Sequence, residues 1–267
     1  DLDTPVADYL PYFRMADEDY RLITPRQIMT HTSGLAEYKG QDSDWEADAG
    51  DGALEQHVRG LAEEQLKYPN GGFFHPSSIG YEILGAVIAE VSGQPYEAYL
   101  RDNVFAPLDL RHTTSLLSEV DPDRQTQWHE RDRKGILTAR PMDYSRQHAP
   151  AACLYSSVED MARLAQMYLN QGTLGEAQVL SAAACEQMWT AQTFAPFTSG
   201  GIKWQACPGW LCGDNPQGNR VVLMDSTYAV LVLAPDGGVG LALAMNFLAT
   251  SFWPDIAPIM EGLLAEA

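Results

Sequence analysis

Ile23-Thr24-Pro25-Arg26-Gln27-Ile28-Met29-Thr30-His31-Thr32-Ser33-Gly34-Leu35 is the stretch whose reading decides the fold. Thr24 followed by Pro25 reads as a helix N-cap and first helical residue, because proline presets the helical φ and its missing N–H costs nothing there. Working outward, Ala53 to Glu64 carries a helical pattern. Ile79, Ile83, Val87 and Val91 recur every four residues with Leu84 and Ile88 beside them, which predicts one broad apolar helix face closed by Gly93 and Pro95. Pro95 to Asn103 predicts a further helix. Ser156-Ser157-Val158-Glu159 has the spelling of a capping box before a helix from Val158 to Asn170. Ser115 to Ser145 is polar and aperiodic and reads as long loops or short irregular strands.

The C-terminal third changes character. Tyr228 to Leu233 and Val239 to Met245 are β-rich runs flanking Pro235-Asp236-Gly237-Gly238, the chemistry of a hairpin. Ile202 to Ala206 and Arg220 to Met224 read as neighbouring strands, and Ile256 to Leu264 as a closing helix. Helices first and strands last give an α+β architecture. Residues 1–195 are expected to be mainly helical and 196–267 to supply the strands and the closing helix, all within a single domain.

Composition narrows the partners. The formal net charge is -19, which argues against nucleic acid and anionic membranes, since both attract a positive surface. No uninterrupted apolar run is long enough to span a bilayer. The acidic balance fits either an ordinary soluble acidic protein or one from a salt-adapted host. Four cysteines are present. Cys207-Pro208-Gly209-Trp210-Leu211-Cys212 reads either as a hairpin with a cross-strand disulfide or as two strand thiols. The disulfide would imply an oxidising compartment, periplasmic or extracellular. Cys153 and Cys185 are isolated, and no Cys-x-x-Cys or paired-histidine spacing accompanies them, so no zinc site is predicted.

Several short segments, taken in order, resemble the β-lactamase-related serine hydrolases: class C β-lactamases, DD-peptidases of the penicillin-binding type, and related esterases. They are Leu2-Asp3-Thr4-Pro5-Val6 with the opening stretch, Gly80-Tyr81-Glu82-Ile83-Leu84-Gly85, Val91-Ser92-Gly93-Gln94-Pro95-Tyr96, Pro107-Leu108-Asp109-Leu110-Arg111-His112-Thr113, Tyr155-Ser156-Ser157-Val158-Glu159-Asp160-Met161-Ala162-Arg163 and Gly201-Ile202-Lys203-Trp204. The resemblance implies a helical lobe beside an antiparallel sheet. It implies a small ester, amide or D-amino-acid peptide substrate, an acyl-serine intermediate, and no cofactor or metal. It also implies that the family's N-terminal strands and nucleophile helix lie upstream of Asp1.

Family chemistry rests on three elements: Ser-x-x-Lys, Tyr-x-Asn, and Lys-Thr-Gly or His-x-Gly. Lys39, Lys67, Lys134 and Lys203 are the four lysines, and none has a serine three residues before it. A gap-free match from Gly80 places Pro76-Ser77-Ser78 at the Tyr-x-Asn position, and proline carries no proton. A shifted match would put His75 there, where an imidazole suits a base near neutral pH. His75, Ser77 and Ser78 are the candidate site residues; the blander readings are a loop histidine and helix caps. The third element falls near Arg220-Val221-Val222, without its glycine. Arg220 is a candidate for binding a substrate carboxylate, or a solvated strand-end arginine. Tyr68-Pro69-Asn70 and Tyr168-Leu169-Asn170 share the Tyr-x-Asn spelling but fall in a turn and at a helix end. His31 belongs to the structural signature, packed or hydrogen-bonded rather than a base.

Overall fold

The computed structural model describes residues 1–37, 50–131, 134, 135, 137–140, 144–226, 228–246 and 262. The chain forms two compact units and passes between them repeatedly. One unit holds Asp1–Ala106, Thr113–Glu119 and Asp143–Tyr155; the other holds Pro107–His112, Val120–Met142 and Ser156–Ala267.

The first unit is helical. It contains α1 (Val6–Tyr9), α2 (Pro25–Met29), α3 (Ala53–Gly60), α4 (Ser78–Ser92), α5 (Tyr96–Leu100) and α6 (Ala149–Ala152). Thr24 caps α2 as expected: its hydroxyl accepts the Gln27 N–H, and the Gln27 side chain accepts the Thr24 N–H. Buried Val6, Leu10, Phe13, Ile23, Ile28, Leu35, Val58 and Ile83 form one core around α4. At Gly85 on α4, any Cβ would overlap the Pro150 ring, so the missing side chain lets α6 lie directly on α4. The 3-10 turn before α6, Arg146–His148, is clamped by Arg146, which pairs with Glu97 at 2.7 Å and Asp51 at 2.6 Å.

The second unit carries the sheet. A hairpin of β1 (Trp128–Arg131) and β2 (Leu137–Arg140) precedes α7 (Val158–Leu169), the small pair β3 (Thr173–Leu174) and β4 (Ala177–Gln178), and α8 (Ala182–Met188). Six strands follow: β5 (Thr193–Ser199), β6 (Ile202–Cys207), β7 (Trp210–Asp214), β8 (Arg220–Asp225), β9 (Ala229–Ala234) and β10 (Val239–Ala244). They pair antiparallel in the order β10-β9-β8-β7-β6-β5, a meander in which each strand joins the next. Alternation sets the faces: Ile202, Trp204 and Ala206 of β6 are buried while Lys203 and Gln205 are exposed. α7 covers β10 and β9, and Ala165 joins a core with Trp189, Trp210, Val222, Leu231 and Leu233.

The α+β class and the antiparallel sheet stand as read. The β9–β10 pair spans Ala229–Ala234 and Val239–Ala244, within a residue of expectation. Other expectations shift. The cap of α7 is Ser157, whose hydroxyl accepts the Asp160 N–H at 3.1 Å, one residue later than the Ser156–Glu159 box. The Asp160 carboxylate instead accepts the His112 N–H at 2.7 Å, and Arg163 donates to the Leu108 carbonyl at 2.9 Å. The Pro107–Thr113 turn and the Ser-x-x-Asp helix start are thus bonded to each other. The predicted helix after Pro95 continues from α5 into a π-turn, Arg101–Phe105. The aperiodic Ser115–Ser145 segment contains β1 and β2. β5 and α8 lie outside the sequence expectations, and β7 extends the strand expected at Cys212 to Asp214. α7 and α8 precede residue 196 yet belong to the sheet-bearing unit. Of the expected closing helix, Ile256 to Leu264, only Gly262 lies within the described residues, and it is helical.

Cys207 and Cys212 are joined by a disulfide at the β6–β7 hairpin, so the two-thiol reading does not hold. Cys153 and Cys185 are buried thiols. Unfolded without reductant, the protein should take up two carbamidomethyl groups, at Cys153 and Cys185, and four after reduction. Intact mass spectrometry reads this directly. Cys207→Ser with Cys212→Ser should cost about 2 kcal/mol, the loop-entropy value for so short a ring, measured by urea denaturation.

Candidate functional site

Residues Phe74 to Ser78 lead into α4, and the His31–Gly34 loop holds them there. His31 takes a left-handed backbone, φ 56°. Its carbonyl accepts the His75 N–H at 2.7 Å, and its Nδ1 accepts the Ser77 N–H at 3.2 Å. Gly34, φ 80°, lies so close to the Tyr68 carbonyl that any Cβ would overlap it. The Gly34 carbonyl accepts the N–H groups of Lys67 and Tyr68, and Gly71 donates to Thr32. The His-Thr-Ser-Gly run is therefore a backbone clamp for the 67–77 segment. The expectation that His31 is hydrogen-bonded there holds.

The His31 ring sits between Phe74 and Tyr81, with centroids 5.7 and 5.4 Å away. Burial, with a smaller contribution from the nearby His75 charge, drives its pKa down to about 4. A neutral ring is what the geometry needs, because only an unprotonated Nδ1 can accept from Ser77. Burial also pushes the Tyr81 hydroxyl up to about 12.

Ser77 is buried and caps α4. Its hydroxyl donates to the Ala36 carbonyl at 2.7 Å and accepts the Gly80 N–H at 3.3 Å. Ser78 opens the helix, and its N–H donates to the Glu37 carboxylate at 2.8 Å. That carboxylate on the first turn suits the positive helix end. Pro76, just before them, is exposed. The His75 ring packs edge-on against Tyr68 at 4.6 Å. Of the four candidates, His75, Ser77 and Ser78 gather at one helix start.

Arg220 belongs to the other unit. It begins β8, an interior strand, and its guanidinium pairs with Glu186 at 2.8 Å while its N–H donates to Asp236. Neither decoy tyrosine is exposed: Tyr168 packs against Trp210 at 5.0 Å, and Tyr68 against His75. Sequence reading missed Glu37, and it missed a buried cluster of His57, Glu82 and His148. Glu82 left one signal, a carboxylate beside Ile83 inside an apolar helix.

Chemically, the helix start positions backbone. Ser77 Oγ is held between a carbonyl and an amide, and the imidazole nearest in bonding contacts its N–H, not its hydroxyl. Proton relay from a hydroxyl needs a base bonded to that hydroxyl.

The Beta-lactamase family profile matches residues 1–259, and the chain belongs to that family. Penicillin-binding protein 4 of Amycolatopsis lactamdurans is 29% identical over 284 aligned residues, covering 99% of this chain and 70% of that protein. Esterase EstB of Burkholderia gladioli is 31% identical over 209 residues, covering 66% of this chain and 52% of the esterase. A penicillin-binding protein homologue from Pyrococcus abyssi superposes with a TM-score of 0.81 at 21% identity, over 100% of this chain and 60% of that one. The chain thus spans between about half and seven-tenths of these relatives. The fold is of the β-lactamase and penicillin-binding type.

The His31 pKa makes stability depend on pH. Above its ordinary value of 6.5, folded and unfolded chains both carry a neutral ring, and the contribution is intact. As pH falls from 6.5 towards 4, the unfolded chain binds a proton that the folded chain refuses, and stability drops by roughly 3 kcal/mol in all. His31→Asn keeps a side chain tolerant of positive φ and should flatten that part of the profile, measured by urea unfolding between pH 4 and 7. Ser77→Ala should cost about 1–2 kcal/mol, a lost cap.

Proposed function

We propose that, in this Beta-lactamase family member, the 267 residues form the scaffold of a serine hydrolase but carry no acyl transfer of their own. The complete protein would cleave a small ester, amide or D-amino-acid peptide through an acyl-serine intermediate. The observation that carries this is the pairing of two facts. The sequence holds no Ser-x-x-Lys. The gap-free sequence match from Gly80 puts Pro76 at the position of the second catalytic element, and the Ser77 hydroxyl is committed to Ala36 and Gly80. His75, Ser77 and Ser78 then keep that element's place without its proton chemistry, and Arg220 is a carboxylate contact only if it leaves Glu186. The unbroken family match over 1–259 supports reading the two compact units as parts of one domain.

A second reading is a catalytically silent member that serves as a binding module. Pro76 favours it, because even a restored serine and lysine would face no tyrosine across from them.

Incubated with a fluorophosphonate probe or a labelled penicillin, the 267-residue chain should show no adduct by intact mass. Losing members of a coupled catalytic unit typically costs on the order of a thousandfold or more in rate. A stoichiometric adduct on Ser77 or Ser78 overturns the proposal and makes His75→Ala the next variant. An adduct on a Ser-x-x-Lys serine in a longer form supports the hydrolase; a longer form with that motif and no adduct supports the silent module.

A further inference from the structure

Away from the α4 start, three titratable side chains converge inside the helical unit. Glu82 projects from α4 and is fully buried. His57 Nε2, from α3, stands 2.7 Å from its Oε2. His148 Nδ1, from the turn before α6, stands 2.6 Å from its Oε1. The two rings meet edge to face at 5.3 Å. His148 is buried and His57 partly exposed.

We propose that His57, Glu82 and His148 form a site for a divalent transition metal, zinc first among them. Two imidazoles and one carboxylate are a ligand set zinc takes, with water in the fourth position. Each residue offers one ligand atom, and the three lie within 4.8 Å of one another. A tetrahedral zinc needs neighbouring ligand atoms roughly 3.3 Å apart, so each ring would draw back slightly from the Glu82 oxygen it now meets at 2.7 or 2.6 Å. His57 is partly exposed, which leaves its ring room to turn. Each ligating nitrogen must be unprotonated, so a proton there moves to the other ring nitrogen, Nδ1 of His57 and Nε2 of His148, and any second proton on a ring passes to solvent. His148 Nε2 already lies 3.0 Å from the Gln147 amide. Turning that amide over presents its oxygen to the new N–H, the usual outer partner of a metal-bound imidazole.

The surroundings hold the ligands in place. Gly85 seats Pro150 against α4 one turn from Glu82, and Arg146, clamped by Glu97 and Asp51, fixes the turn that bears His148. A metal here would tie α3, α4 and the returning segment together. The spacing that would announce such a site is absent because the ligands come from distant parts of the chain.

The test uses the full chain, stripped with chelator and dialysed. Zinc titrated by calorimetry should saturate at one equivalent, and cobalt should give the intense visible bands of a four-coordinate site. Zinc at about a hundredfold excess over Kd should raise Tm by roughly 5–10 °C. His57→Ala should fold and lose the uptake, while His129→Ala, outside the cluster, should keep it. Imidazole NMR of the wild-type protein gives a second readout that needs no variant: the ring signals of His57 and His148 should shift on zinc addition. No saturable uptake, uptake undiminished in His57→Ala, or unmoved ring signals each overturn the site.

Discussion

The bond from the Ser77 N–H to a neutral His31 Nδ1 is the constraint on which the helical unit rests. It ties the start of α4 to the loop after α2 at the point where both enter the core. An N–H left without a partner there would cost about 1–3 kcal/mol, so the ring must stay unprotonated and the loop must keep its shape. The left-handed backbone at His31, the close approach of Gly34 to Tyr68 and the amide contacts of Lys67, Tyr68 and Gly71 hold the loop in that shape. A histidine that sequence reading could have mistaken for a base is here an acceptor, and burial makes it one.

That arrangement puts the polar groups at the start of α4 to work in holding the fold. The residues at the start of α4 spend their polar atoms on capping. Ser77 bonds a carbonyl and an amide, Ser78 lends its N–H to Glu37, and Pro76 has no proton to give. On β8, the Arg220 guanidinium is paired with Glu186. The family resemblance survives where it concerns packing. The Pro107–Thr113 turn and the α7 start persist because Asp160 and Arg163 bond that turn directly.

Legibility followed physics. Helices with strong periodicity or a clear cap, α2, α4 and α7, were readable because local residues determine them. The β9–β10 hairpin was readable because both runs are β-rich and their turn residues are distinctive. β5 was not, since its neighbour across the sheet supplies the reason for its extension, and of β7 only the Cys207–Cys212 turn was legible. α8 is short, and its alanines carry little periodicity. The cap of α7 is Ser157 rather than Ser156, and the Asp160 carboxylate is taken up by His112, a partner distant in sequence. At the candidate site, Ser77 as a cap was legible from its place before an apolar helix. The ring contacts of His75 and the meeting of His57, Glu82 and His148 were not, because each is made by tertiary structure alone.

The chain leaves the helical unit after Ala106, returns for Thr113–Glu119, leaves again, and comes back at Asp143–Tyr155 to lay α6 on α4. During synthesis from the N-terminus, the first hundred residues therefore emerge before the segment that completes them. Glu82 waits, desolvated only in part, until His148 has left the ribosome. The contacts that finish this unit are long-range in sequence, which slows their formation. A nascent chain stalled short of Tyr155 would present an open α4 face to whatever chaperone attends it, although every residue of that face has already been made.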